Sequence, residues 1–352
     1  MNTIFKILLS PISLIYGIAI SIRNLLYDAG LLKSAKFSLP VISVGNLTVG
    51  GEGKTPHVEY LIQQLQDYLN LAILSRGYKR KTKGFRIVNA NDSVTQAGDE
   101  PLQFKKKYPK NVVAVSESRA LAIPEILTRY PETQLVILDD AFQHRSVDPG
   151  LNILLTNFSK LFTEDYLLPS GRLREWRVAY KRADVIIVSK CPMYDPEINR
   201  EGIISKINPL PHQKVFFSYY NYGHPYFMYD ARKRVDISKH PVILVCAIAQ
   251  ADYLLSYLED KTEVIGFYKF EDHHYFSNHE VSLINKTYQE NKSSKPLIIT
   301  TEKDATRFHE HRTFLVENRM PMFILPTKVD FHYEQGTEFD ELIKGFLLDF
   351  RS

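Results

Sequence analysis

Cysteine is nearly absent from this chain: Cys191 and Cys246 are the two among 352 residues. Such a pair supports neither a disulfide scaffold nor a zinc cluster, and it suits a reducing compartment. Tryptophan occurs once, whereas tyrosine and phenylalanine number 21 and 20, a bias that reads as core composition. Charge of one sign is not in excess either. The 44 basic residues against 40 acidic leave +4, so any anion-binding patch must be local and no nucleic-acid partner is expected. Low-complexity tracts and fixed-period repeats are missing, and the 44% apolar, 24% charged composition is that of a globular chain. A long uninterrupted apolar run is missing as well. Residues 7–22 are apolar between Lys6 and Arg23, but Pro11 and Gly17 interrupt them, and sixteen residues fall short of the ~20 a spanning helix needs. Basic flanks continue through Lys33 and Lys36. The expectation is a helix lying on an anionic membrane surface, preferred over a buried helix, a cleaved leader or a true span.

From Pro40 onward strand and helix patterns alternate. Short β-branched or apolar runs at 41–44, 71–74, 112–115, 135–138, 153–155 and 185–188 read as buried strands. Between the first two, Val58, Leu61, Ile62 and Leu65 fall on one helical face. This alternation implies parallel βαβ units, an α/β fold with helices on both faces of the sheet. A proline-rich seam at Pro209 and Pro211 is followed by an aromatic, hairpin-like stretch over 215–229. Strands then resume at 242–245, 264–267, 297–300 and 322–325, and an amphipathic helix carrying Phe339, Leu342, Ile343 and Phe346 closes the chain. At ~150 residues per domain, the expectation is two α/β domains, residues 1–212 and a smaller one over 213–352.

The first strand runs into Thr48, Val49, Gly50, Gly51, Glu52, Gly53, Lys54 and Thr55, with the amphipathic helix directly after. A glycine-rich turn in that position curls backbone N–H groups around nucleotide phosphates, and the following helix aims its positive dipole end at them. Lys54 would reach the terminal phosphates and Thr55 would hold Mg²⁺. Thr48 stands where the general pattern has glycine, and Glu52 places an acid inside the loop. Asp139 and Asp140 end an apolar strand. Two adjacent carboxylates at such a position are costly unless they hold a cation, so both are expected near Mg²⁺. This is a P-loop NTPase-type arrangement, and the nucleotide places the membrane-resting helix on the cytoplasmic side. Basic residues cluster in 76–83, 105–107 and 172–182, which suits an anionic partner.

Seven blocks together carry a family resemblance: Gly45-Asn-Leu-Thr-Val-Gly-Gly-x-Gly-Lys-Thr-Pro56, Ser75-Arg-Gly-Tyr78, Gly98-Asp-Glu-Pro101, Leu138-Asp-Asp-Ala-Phe-Gln-His144, Leu168-Pro-Ser-Gly-Arg-Leu-Arg-Glu175, Asp272-His-His-Tyr275 and Thr301-Glu-Lys-Asp304. In this order they resemble the tetraacyldisaccharide 4'-kinases of lipid A biosynthesis. The resemblance implies ATP- and Mg²⁺-dependent phosphoryl transfer to the 4'-hydroxyl of a tetraacylated disaccharide 1-phosphate. It also implies a lipid substrate and a peripheral enzyme on the cytoplasmic face of the inner membrane.

On that reading a sugar hydroxyl needs a base, and Asp99 is the candidate. His273 or His274 would complete a dyad with it when the domains close, and the sequence does not choose between the two. Asp140, Gln143 and His144 would sit near the γ-phosphate, and Arg172, Arg174 and Glu175 would line the nucleotide or acceptor side. The role of Thr301-Glu-Lys-Asp304 is open. The rival reading is a P-loop NTPase switch or maturation factor. It needs a guanine-reading Asn-Lys-x-Asp element, and the nearest piece, Ser189-Lys-Cys-Pro192, lacks both the Asn and the Asp.

Overall fold

The computed structural model describes residues 3–193, 199–249 and 251–350. Its elements begin with α1 (Thr3–Asp28), β1 (Val41–Asn46), α2 (Lys54–Leu65), β2 (Leu71–Ser75), β3 (Arg86–Ile87), α3 (Val94–Ala97) and α4 (Asp99–Lys107). Next come β4 (Val112–Val115), α5 (Arg119–Arg129), β5 (Leu135–Asp139), β6 (Leu151–Asn157), β7 (Val185–Ser189), α6 (Arg200–Ile207) and β8 (Lys214–Tyr222). The chain continues with β9 (Tyr226–Phe227), β10 (Asp230–Arg234), β11 (Val242–Cys246), α7 (Ala251–Glu259), β12 (Val264–Lys269) and α8 (Asn278–Glu290). It ends with β13 (Leu297–Thr301), α9 (Glu302–Phe308), α10 (Arg312–Glu317), β14 (Met322–Leu325), β15 (Thr327–Phe331) and α11 (Gln335–Asp349).

Two sheets result. The larger has nine strands in the order β15-β8-β7-β6-β1-β5-β2-β4-β3, parallel except at its two edges. The smaller has six, β10-β9-β14-β13-β11-β12, with β14, β13, β11 and β12 parallel. The central strands are buried along their whole length, as in parallel sheets covered on both faces. Pairing of Val44 with Asp139 brings the end of β5 beside the end of β1, where the phosphate loop leaves the sheet.

The boundary expected at residue 212 does not separate the two sheets. Strand β8 starts at Lys214 and pairs in parallel with β7, extending the first sheet. After β14 the chain crosses back: β15 pairs antiparallel with β8, and α11 buries Phe339 and Ile343 against Phe216, Val329 and Phe331. Burying each of those two side chains is worth about 1.5–3 kcal/mol, enough to fasten the chain's end to the first lobe. The second lobe is therefore an insertion, its sheet running from Tyr226 to Leu325.

Pro11 and Gly17, which interrupt the apolar run, do not break the helix: α1 is continuous over 26 residues, longer than the sixteen-residue run expected. Proline lacks the N–H that would reach the carbonyl four residues back. That carbonyl belongs to Ile7, and the Ser10 hydroxyl donates to it at 2.7 Å. Residues 6–28 are thus long and apolar enough to cross a membrane. One side of the helix is tied down. Ser13 donates to Ser170 Oγ at 2.7 Å, Tyr16 to the Arg174 carbonyl at 2.8 Å, and Trp176 to the Gly17 carbonyl at 3.1 Å. The other side leaves Ile7, Leu8, Ile15 and Leu25 exposed.

Candidate active site

A cleft of ≈ 410 Å³ opens between the lobes, walled by the phosphate loop, Lys54, Thr55, Tyr78, Glu100, Asp140, Arg174, Lys190, His273 and Lys303. The loop's shape follows from its side chains. Asn46 donates to the Thr48 carbonyl at 2.9 Å, and the Thr48 hydroxyl donates to Glu52 Oε1 at 2.6 Å. Glu52 is buried, so the unexpected acid in the loop is turned inward and braces it from below. Two further braces come from the end of β7: Ser189 donates to the Glu52 carbonyl and Lys190 to the Gly51 carbonyl, both at 2.7 Å. Burial pushes the Lys190 ammonium down to about 8. Gly53 has φ +90°, and a Cβ there would lie 2.5 Å from the Tyr220 hydroxyl, so only glycine serves at this position.

Lys54 Nζ lies 3.2 Å from Asn46 Oδ1 and 3.7 Å from Asp140 Oδ1. The Arg174 guanidinium forks onto both Asp140 oxygens, at 2.8 and 3.2 Å, and also donates to the Asn46 carbonyl. Gln143 donates to that same carbonyl at 2.9 Å. The adjacent acids are therefore treated oppositely. Burial opposes the charge on Asp140, but Lys54 and Arg174 outweigh it and hold its carboxyl well below the usual range. Asp139 is buried with no hydrogen-bond partner for either oxygen. Burial, then Glu100 and Asp140, push its carboxyl well above the usual range.

An orphaned buried carboxylate at a strand end fits a cation, and Thr55 in the first turn of α2 fits as its hydroxyl ligand. Among the described residues no group of three or more His, Cys, Asp or Glu side chains could hold a metal by itself. Mg²⁺ keeps several waters and takes further ligands from substrate phosphates, so Asp139 and Thr55 would be its protein ligands here.

Gln143, His144, Arg172 and Glu175 stand behind the cleft wall and do not line it. Arg172 is engaged by Asp165 at 2.8 Å while its carbonyl accepts from Val49 N, which anchors the loop. Glu175 is fully buried between Asn24 of α1 and Arg182. Burial and the Arg119 guanidinium push the His144 imidazole down to about 3.

Across the cleft, Gly98 with φ +91° turns the chain from α3 into α4, so that Asp99 opens α4 beside the second lobe. His273 Nδ1 donates to Asp99 Oδ2 at 2.7 Å, and Arg307 donates to the same oxygen at 2.9 Å. Burial would neutralise Asp99, but Lys303, His273 and Arg307 outweigh it and hold the carboxyl far below its usual range. With Asp99 ionised, the proton sits on Nδ1 and the Nε2 lone pair faces the cleft. Tyr78 packs on the imidazole, ring centroids 4.8 Å apart. His274 points elsewhere: it is held by Glu280 at 3.0 Å and stacks on Phe270. Of the two histidines, only His273 meets Asp99.

Three contributors to this half were not assigned from the sequence: Arg307, Lys303 and Tyr78. Tyr78 and Lys303 lie within Ser75-Arg-Gly-Tyr78 and Thr301-Glu-Lys-Asp304, and Arg307 follows Lys303 by one helical turn on α9. That spacing was the available signal.

A parallel-rich α/β sheet, a phosphate loop between strand and helix, an acidic strand end and a carboxylate–imidazole pair define a P-loop phosphotransferase. The comparisons narrow the class. The tetraacyldisaccharide-1-P 4'-kinase (LpxK) family matches residues 5–347, and the chain belongs to that family. It is 40% identical to the tetraacyldisaccharide 4'-kinase of Bacteroides thetaiotaomicron, covering 96% of this chain and 92% of that one. It is likewise 40% identical to that of Flavobacterium johnsoniae, covering 94% of each. Crystalline LpxK from Aquifex aeolicus, in complex with ATP, superposes with a TM-score of 0.75 at 31% identity, over 97% of this chain and 99% of that one. The protein is accordingly a kinase that passes phosphate to a hydroxyl, and the switch or maturation-factor reading is not favoured.

Proposed function

We propose the following division of labour in the transfer of the ATP γ-phosphoryl group to the 4'-hydroxyl of a tetraacylated disaccharide 1-phosphate. Lys54 and the loop amides hold the β- and γ-phosphates, and Arg174 keeps Asp140 oriented beside them. Thr55 and Asp139 would hold Mg²⁺, which when bound offsets charge on the phosphate oxygens. The 4'-hydroxyl gives its proton to His273 Nε2, while Asp99 fixes the imidazole tautomer and stabilises the imidazolium. The lobes close over the reaction and exclude water.

The observation that supports this best is the 2.7 Å contact between Asp99 and His273, made across the lobes in the cleft that holds Lys54. The exposed face of α1 rests on the cytoplasmic surface of the inner membrane, which keeps the cleft near a lipid acceptor. Hydrogen bonds from α1 to Arg174 and Glu175 support that placement. ADP release measured with and without the disaccharide lipid tests the proposal: turnover should depend on the acceptor, and equal turnover without it would refute it.

A further inference from the structure

Three of the four residues in Thr301-Glu-Lys-Asp304 have a place in the fold. Thr301 caps α9, accepting from Asp304 N at 3.1 Å. Glu302 pairs with Lys107 of the first lobe at 2.7 Å. Asp304 is buried, accepts from Ala247 N at 3.0 Å and pairs with Arg307 at 3.0 Å. Lys303 does none of this. Its ammonium stands in the cleft wall, 3.2 Å from each of Glu100 Oε1, Asp272 Oδ1 and His273 Nε2. Burial opposes its charge, but Glu100, Asp99 and Asp272 outweigh burial and keep the amine protonated above the ordinary lysine range.

The contact with Nε2 has a chemical consequence. Nδ1 keeps its hydrogen and donates it in a hydrogen bond to Asp99, so Nε2 carries the one lone pair this imidazole can use as a base. A hydroxyl must come within about 2.6–3.2 Å of that lone pair to surrender its proton. Lys303 already occupies it. A lysine ammonium has three rotatable donors on a flexible stem. It can therefore release the imidazole while Glu100 and Asp272 still hold it, and a γ-phosphoryl group in the same cleft offers oxygens to receive the freed N–H.

We propose that Lys303 is a catalytic cation that caps the base: its ammonium covers His273 Nε2 in the arrangement seen here, then shifts to the γ-phosphoryl oxygens as nucleotide and acceptor are seated. The proposal rests on the Asp99–His273 dyad described above. Once uncapped, Nε2 takes the 4'-hydroxyl proton. The bond from the 4'-oxygen to phosphorus forms, the bond from phosphorus to the bridging oxygen breaks, and its electron pair leaves on ADP. While the cap is in place a water molecule is not deprotonated, so ATP is not hydrolysed wastefully.

Lys303→Met tests this, with acceptor-dependent transfer and acceptor-free ATP hydrolysis both measured. Transfer should fall roughly 10²-fold, the usual cost of one charge-stabilising donor. The ratio of hydrolysis to transfer should rise at least about tenfold, a change that a merely structural lysine would not produce. Lys303→Arg should restore most of both. His273→Ala is measured in parallel. If it transfers phosphate normally, the dyad itself is wrong and the cap falls with it. If His273→Ala is inactive but Lys303→Met leaves the ratio at the wild-type value, the dyad stands and only the cap is refuted. Should Lys303→Met fail to fold, the wild-type protein with ¹⁵N-labelled imidazoles decides. Mg²⁺ and a non-hydrolysable ATP analogue alone should leave the His273 Nε2 resonance at its capped value, and further addition of the disaccharide lipid should move it; a resonance that the lipid does not move overturns the proposal.

Discussion

The two lobes furnish the cleft in different ways. The first lobe supplies a strand end, a loop and a helix start within the continuous stretch from Asn46 to Thr55, and adds Asp139 and Asp140 from the neighbouring strand. The second lobe supplies no comparable local motif. It sends His273 and the α9 side chain Arg307 to one carboxylate, Asp99, and the α9 side chain Lys303 to the neighbouring carboxylate, Glu100. The phosphate half is thus built by local sequence and sheet register, whereas the base half exists only where the lobes meet. Damage to the first should spare the fold and remove charge stabilisation. Damage to the second should reach both chemistry and lobe closure.

The largest effect is expected at the shared carboxylate. Asp99→Asn should lower kcat by roughly 10²–10⁴ with little change in ATP affinity. Asp99→Ala should also lower Tm, because it takes a partner from Arg307, only 2% exposed, and breaking a buried pair costs about 3–5 kcal/mol. His273→Ala should match Asp99→Asn, and the double variant should lose little more than either, since the pair acts as a unit. His274→Ala should keep near-normal kcat because that ring is held by Glu280. Steady-state kinetics at saturating ATP and lipid checks all five, with thermal unfolding for Asp99→Ala; additive losses would mean that the two residues act independently.

Lys54→Ala comes next, with a loss of roughly 10²–10³ in kcat, in the range found for one transition-state donor. Its ammonium is held by Asn46 and Asp140 in the cleft wall and fills no core space, so Tm should hardly change. A large fall in Tm would show that the phosphate half is not the self-sufficient unit described above.

What the sequence disclosed follows the same division. The phosphate loop, its helix and the acidic strand end were legible because their residues are neighbours and their spacing carries the chemistry. Glu52 stood out as a departure, yet its inward turn onto Thr48 depends on loop geometry that no spacing encodes. The choice between His273 and His274 was not legible: adjacent residues point opposite ways, His273 having φ +62° and His274 being drawn off by Phe270 and Glu280. The limit at residue 212 misled because prolines punctuate the chain there, while sheet membership is decided by which edges remain to be paired. Strand β8 finds β7, and β15 returns to find β8. The length of α1 was also underread from the sixteen-residue apolar run, since the helix continues through Pro11, where a single hydroxyl one residue earlier takes up the freed carbonyl.

A third perturbation lies outside both halves. Leu8 and Ile15 are 71% and 69% exposed on α1 and touch neither lobe's chemistry. Burying an apolar side chain of that size in lipid is worth about 1.5–3 kcal/mol, so replacing either by Asp should weaken vesicle binding about tenfold or more. KM for the lipid should rise correspondingly at unchanged kcat. Undiminished co-sedimentation of the Leu8→Asp/Ile15→Asp protein with anionic vesicles would remove α1 as the membrane contact.

The smallest effect tests whether the lobes stay closed around their charges. Lys107 of α4 bridges Glu59 of the first lobe, at 2.6 Å, and Glu302 of the second, at 2.7 Å. Burial first and Glu302 second push the Glu59 carboxyl up to about 7, against the pull of Lys107. A carboxyl raised by folding contributes stability that is fully present below its ordinary value of 4.5 and is lost as pH rises toward about 7. Asp99 has the opposite sign and acts below pH 3.8, outside this window. Unfolding free energy of the wild type should therefore decline, relative to Glu59→Gln, between pH 4.5 and 7, by on the order of 1–3 kcal/mol. The decisive variant is Glu302→Gln. If the second lobe is closed in solution, removing that charge lowers the Glu59 carboxyl and flattens the decline. If the slope survives unchanged, Glu302 is not beside Glu59 in solution, and the base half of the cleft must assemble only when substrate draws the lobes together.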